Sequence, residues 1–134
     1  AIANATCDIV YLHMSYLHFT RGAHPNFWAF YDGTPSGVSI HLVVPWLDTG
    51  HLMFRRRGVV SQGWKTFSTT YRSLFKALER LFIESFGSIK ERDWVAISDG
   101  SAGSYHRMDD LPKNFSGWDA DVGHEIKRLN AQKS

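Results

Sequence analysis

Cysteine is almost absent: Cys7 is the only one in 134 residues, so no disulfide can close within the chain and a small secreted scaffold held by disulfides is excluded. A reducing, cytoplasmic setting is the expectation. Two Asn-x-Ser/Thr triplets, Asn4-Ala5-Thr6 and Asn114-Phe115-Ser116, point the other way, since they are glycosylation acceptors in a chain that enters a secretory route. Ala1 rather than Met opens the sequence, which would suit a removed leader or a processed precursor. Long hydrophobic runs are missing too. Nothing approaches the roughly 20 apolar residues of a membrane-spanning helix, and no basic start with an apolar core marks a signal peptide, so no membrane partner is expected. Neither charge dominates: 15 Lys+Arg against 13 Asp+Glu leave +2, short of an excess that would by itself mark a nucleic-acid binder. With no internal repeat, low-complexity tract or long linker, residues 1–134 are expected to form one domain that needs no metal or disulfide.

Aromatic residues are plentiful, at 14% with five Trp. Either the core is aromatic or some rings line a pocket or an interface. The strongest pattern lies from Ser68 to Gly87, where Tyr71, Leu74, Phe75, Leu78, Phe82 and Phe86 recur at helical spacing. Ser68, Thr69 and Thr70 offer N-cap hydroxyls and Gly87 a left-handed stop. Such a helix needs an apolar partner, and the preceding sequence reads as sheet.

Asp8 to Thr20 is expected to be a long central strand and Phe27 to Tyr31 a second. Val38 to Leu47 alternates as a third, and His51 to Arg57 returns beside it through Asp48-Thr49-Gly50. If Leu47 pairs with His51, Val44 faces Phe54 and Trp46 faces Leu52, giving an apolar face for the helix; His41, Val43, Met53, Arg55 and Arg57 would lie on the other. Trp94 to Ser98 and Ser104 to Met108 read as two short strands, and Asp119 to Ala131 as a weaker helix. The order ββββαββα predicts an α+β fold: an antiparallel sheet covered by one long amphipathic helix and a weaker C-terminal helix.

Candidate chemistry is sparse. Trp46-Leu47-Asp48-Thr49-Gly50 carries the apolar-apolar-Asp-Thr-Gly string of aspartic proteases, in which two carboxylates share a proton and activate a water. Asp-Thr-Gly is equally good hairpin-turn chemistry, and that reading takes precedence. His41 and His51 are expected on one face of the hairpin near Asp48. His13 and His18, an odd number apart on the expected strand, should face opposite sides, so no spacing supplies a metal site, and no cofactor is implied. The Gly/Ser loop Asp99 to Ser104 lacks the lysine and following helix of a phosphate loop and reads as a hairpin connection. Arg55 and Arg57, with Arg72, Lys76 and Arg80 at successive helical turns and Lys65 nearby, form the expected basic surface; pairing of Lys76 with Glu79 and of Arg80 with Glu84 would partly neutralise it. These features predict a small binding module that docks a protein partner or a second copy of itself, with nucleic acid or another anion as the further candidate. The alternative is a hydrolase using Asp48, His41 or His51.

Overall fold

The computed structural model describes residues 8–43, 51–58, 66–98 and 103–132. Its elements are β1 (Ile9–His13), β2 (Arg21–Gly22), α1 (Pro25–Asp32), β3 (Gly37–Val43), β4 (His51–Arg57), α2 (Phe67–Lys90), β5 (Tyr105–His106) and α3 (Val122–Ala131), with a 3-10 turn at Met108–Asp110. Three strands form an antiparallel sheet in the order β1-β3-β4, and β2 and β5 form a short parallel ladder. The α+β architecture expected from the sequence is present.

The long helix is where the periodicity puts it. Its start is Thr66, whose hydroxyl accepts from the Thr69 N–H at 3.1 Å while the Thr69 hydroxyl accepts from the Thr66 N–H at 3.2 Å, a reciprocal cap two residues before the expected one. Gly87 does not end it. The helix runs on to Lys90 because Ile89 still packs on the core beneath. That core joins Val38 and Ile40 of β3, Met53 of β4, and Leu74, Leu78 and Leu81 of α2. Met53 reaches it through a bulge: Ile40 pairs with Phe54 but His41 with Leu52, so Met53 is the extra residue and turns inward. The expected partners Val44, Trp46 and Leu47 lie outside the described residues.

The buried line of α2 is Phe67, Thr70, Leu74, Leu78, Leu81 and Ser85, one step around the helix from the expected aromatic stripe. Tyr71, Phe75 and Phe86 stay about half exposed, at 47%, 48% and 51%. Small Thr70 and Ser85 let α2 approach closely, and the bulky rings flank the contact.

Phe27 to Tyr31 is a helix, not a strand. Pro25 sits in its first turn, where a missing N–H costs nothing, and Gly33, at φ 70°, closes its end with an N–H to the Ala29 carbonyl. Its aromatic content reflects a second core in which Phe27 and Trp28 meet Phe67 of α2 and Val122 and Leu129 of α3. The expected strand from Asp8 to Thr20 stops at His13, and the chain then turns. Trp94–Ser98 forms no strand, and Tyr105–His106 pairs with β2 rather than with it, so the expected hairpin there is absent.

α3 begins at Asp121, which accepts from the His124 N–H at 2.8 Å. Buried Glu125 accepts from the Ser116 N–H at 2.6 Å and from Arg128 Nε at 2.9 Å. Hydrogen bonding from Arg128, ahead of the opposing effect of burial, holds the Glu125 carboxyl down at about 2, from an ordinary 4.5. A depressed carboxylate contributes stability that is complete above the unfolded-state value and fades below it. Urea midpoints should therefore fall between about pH 4.5 and 2, and Glu125→Gln should flatten that dependence. In the first core, Leu78→Ala should cost about 2–5 kcal/mol in urea unfolding and Phe75→Ala under about 1 kcal/mol; equal costs would refute the observed phase of α2.

Candidate active site

The sheet face away from α2 is polar. The β1–β3 register sets Tyr11 opposite His41 and His13 opposite Ser39, and with the period of two these four side chains share one face. Tyr11 lies between the imidazoles, its ring centroid 5.9 Å from His13 and 5.2 Å from His41. Burial lowers the His13 pKa from 6.5, the neighbouring His41 lowers it further, and a hydrogen bond to the Thr20 backbone opposes both. His41 is lowered too, first by burial and then by His18. Two half-buried imidazoles are thus held neutral at pH 7, each able to accept a proton.

The segment from Met14 to His24 folds over this face. Ser39 Oγ donates to the Ser15 carbonyl at 2.5 Å and accepts from the Leu17 N–H at 3.0 Å. Arg55 donates to the Leu17 carbonyl at 2.8 Å, and its guanidinium lies 4.4 Å from the Tyr16 ring centre. From the far side, the Thr20 N–H donates to Ser104 Oγ at 2.7 Å and the Ser104 N–H to the His18 carbonyl at 3.1 Å. Gly103 is required there, since a Cβ would lie 2.0 Å from the His18 carbonyl oxygen. The hydroxyls of Ser15 and Thr20 and Nδ1 of His41 are buried without a partner among the described residues, which leaves polar capacity free beside the imidazoles.

Met14 and His24, at the two ends of that segment, also line a cavity of about 550 Å³ with Asn26, Phe67, Tyr71, Arg72 and Trp118. Asn26 Nδ2 donates to the Phe67 carbonyl at 2.9 Å and His24 packs 5.3 Å from Trp118, so the wall is fixed from within. Arg72 has no ion pair among the described residues. The volume suits a small organic ligand, and the lining offers flat rings and one guanidinium.

The sequence candidates scatter. Asp48 and Lys65 lie outside the described residues. His41 pairs with Leu52 and His51 with Leu42, so the two imidazoles leave opposite faces of the sheet, contrary to expectation. Arg55 and Arg57 point toward Tyr16 on the polar face, whereas Arg72, Lys76 and Arg80 ride on α2, which covers the other face. They form no common basic surface. Glu84, the expected partner of Arg80, instead takes Arg56 at 2.6 Å. Among the described residues no group of three or more His, Cys, Asp or Glu could hold a metal, and no helix is long and apolar enough to cross a membrane. Strand parity extended through His18 hides His13, because His18 lies beyond the end of β1.

No family model matches the sequence. The solved formyltransferase PseJ from Anoxybacillus kamchatkensis, in complex with UDP-4,6-dideoxy-4-formamido-L-AltNAc and tetrahydrofolate, is 36% identical with a TM-score of 0.76, over 85% of this chain and 62% of that one. The chain resembles sugar N-formyltransferases. The dTDP-4-amino-4,6-dideoxyglucose formyltransferase of Mycobacterium tuberculosis is 27% identical over 128 residues, 91% of this chain and 53% of the relative. A 4-N formyltransferase from Francisella tularensis, 21% identical with a TM-score of 0.67 over 75% of this chain and 41% of that one, shares the fold. The chain spans about half the length of the curated relatives it matches. These likenesses overturn the expectation of a protein-docking, self-associating or nucleic-acid-binding module, and that of a hydrolase: the relatives are group-transfer enzymes, and PseJ is seen with small molecules. Part of the aromatic surplus that suggested an interface goes into the second core, with Phe27, Trp28, Phe30, Tyr31, Phe67 and Phe115.

NMR titration should give His13 and His41 midpoints below 6.5, and His41→Ala should move the His13 midpoint upward by removing a neighbouring positive charge. A downward move would contradict the coupling.

Proposed function

We propose that this chain carries the base and part of the acceptor pocket of an enzyme that transfers a formyl group from a tetrahydrofolate to the amino group of a nucleotide-linked sugar. The observation that carries this reading is His13, a half-buried imidazole kept neutral at the end of β1; the likeness to PseJ supports it. Formyl transfer to an amine has one acid-base problem. The attacking nitrogen must shed a proton, and the departing folate nitrogen must gain one.

His13 accepts the proton from the amino nitrogen as its bond to the formyl carbon forms. It returns that proton to the folate nitrogen as the old carbon–nitrogen bond breaks, so no redox partner is needed. The tetrahydrofolate supplies the formyl group already activated on nitrogen. Water must be kept away, because hydrolysis would waste the donor, and the segment Met14 to His24 closes over the imidazoles for that purpose. In the cavity, Trp118 and Tyr71 offer faces to a flat ring and Arg72 offers charge to a phosphate or carboxylate. Those groups fit either substrate's ring and anionic tail.

The test is formyl transfer from a formyl-tetrahydrofolate to UDP- or dTDP-linked 4-amino sugars, followed by mass spectrometry. His13→Gln should lower kcat by roughly 10²–10⁴-fold, and Arg72→Ala should raise KM with kcat retained. Full activity in His13→Gln would sink the assignment.

A further inference from the structure

Two arginines of β4 converge on a single aromatic ring. Residues two apart on a strand leave it on the same face, so Arg55 and Arg57 project together, away from α2. Their guanidinium carbons lie 4.4 Å and 5.6 Å from the centre of the Tyr16 ring. Gly37, opposite Arg57 in the β3–β4 register, seats that ring. A Cβ at Gly37 would lie 2.4 Å from the Arg56 carbonyl oxygen and 3.0 Å from Tyr16 Cδ2, so a larger residue would push the ring off the strand pair. Arg55 is anchored from behind, donating to the Leu17 carbonyl at 2.8 Å. Arg57 is exposed and makes no ion pair among the described residues. Its neighbour Arg56 is treated differently, being neutralised by Glu84 of α2 at 2.6 Å. Two like charges drawn to one ring repel each other, and the negative face of the ring offsets only part of that repulsion. An oxyanion between the two guanidinium forks would remove it.

The pair is also aligned with the imidazole. His13 stands opposite Ser39, and Ser39 opposite Arg55, so the three form one row across the sheet. With adjacent strands about 4.8 Å apart, the Arg55 backbone lies about 10 Å from that of His13. In both substrates of the proposed reaction, one six-membered ring and its linker separate the reacting atom from the nearest anion: the aminobenzoyl ring in a tetrahydrofolate, the sugar ring in a nucleotide-linked sugar. A substrate reacting at His13 can therefore reach Arg57 with its charged end. Both substrates are anionic, and the cavity beyond Met14 offers the guanidinium of Arg72 alone among its lining charges.

We propose that Arg57, with Arg55 and the Tyr16 ring beside it, forms an oxyanion subsite that holds the carboxylate or phosphate tail of one of the two substrates. Arg57 makes the contact, Arg55 supplies a second fixed charge, and Tyr16 keeps both in place. The identity of the tail rests on the formyl transfer proposed above, while occupancy of the subsite is measurable without turnover.

The experiment titrates the full chain with p-aminobenzoyl-glutamate and, separately, with UDP, following the Tyr16 ring protons by NMR and affinity by calorimetry, in wild type, Arg57→Ala and Arg72→Ala. One probe should shift the Tyr16 ring and lose roughly tenfold or more in affinity in Arg57→Ala, the size expected for a charge-assisted hydrogen bond, while Arg72→Ala leaves that probe unaffected. Loss confined to p-aminobenzoyl-glutamate assigns the subsite to the folate tail; loss confined to UDP assigns it to the diphosphate. If Arg57→Ala does not fold, Arg57→Gln keeps the bulk of the side chain and removes its charge. Equal weakening of both probes would report a diffuse surface charge and overturn the proposal, as would a Tyr16 ring that neither probe shifts or affinities that the folded variant leaves unchanged. A probe bound at Tyr16 in a protein that transfers no formyl group supports the subsite and discards only the reaction assigned to His13.

Discussion

Phe67 is the residue on which the rest of the structure depends. Fully buried at the first turn of α2, its ring lies 5.7 Å from Phe27, 5.3 Å from Phe115 and 6.1 Å from Trp118. Both of its backbone polar groups are engaged as well: the carbonyl accepts from Asn26, and the N–H donates to the Ala120 carbonyl at 3.3 Å. One position therefore ties α1, α2 and the lead into α3. With the Ser68 N–H donating to the Trp118 carbonyl at 2.8 Å and Thr66 capping Thr69, the first N–H groups of α2 are all satisfied within the protein. The helix start is a structural joint, and among the described residues the charge that lines the neighbouring cavity is that of Arg72.

The three-stranded sheet divides its work by face. Toward α2 it shows Val38 and Ile40, which need only fit. Toward the Met14–His24 segment it shows Tyr11, His13, Ser39 and His41, which must be hydrogen-bonded or held neutral. Burial acts on both imidazoles, and a neighbouring ring adds to it in the same direction, His41 at His13 and His18 at His41, so neutrality follows from crowding. Arg55, which would oppose protonation further, is engaged by the Leu17 carbonyl and Tyr16, and its charge is used to close the segment.

Much of the scaffold is legible in the residues. The spacing of Leu74, Leu78 and their neighbours announces α2, and alternation through Val38, Ile40 and Leu42 announces β3 with its apolar face. Pro25 and Gly33 bracket α1 with helix punctuation, but Phe27, Trp28, Phe30 and Tyr31 between them read equally as strand, because aromatic residues suit any deeply buried segment. The phase of α2 is hidden by its two cores: periodicity marks apolar residues and does not tell which of them the partner leaves at the rim. The polar face of the sheet is hidden for a different reason. His13, Thr20, His41 and Ser104 are unremarkable where they stand, and only a strand register, a turn and a distant two-residue ladder bring them together.

That ladder has a kinetic consequence. β1, β3 and β4 lie within one stretch of chain, and α2 forms from local spacing, so both can assemble from contacts close in sequence. The contact between Thr20 and Ser104 closes a loop 84 residues wide, with only two residues of parallel pairing beside it. The entropy lost in closing so long a loop is recovered only after the elements between are in place. A nascent form of this protein can thus possess its sheet and its long helix while Thr20 and Ser104 are still apart, and the polar face of the sheet is enclosed later than compactness is reached.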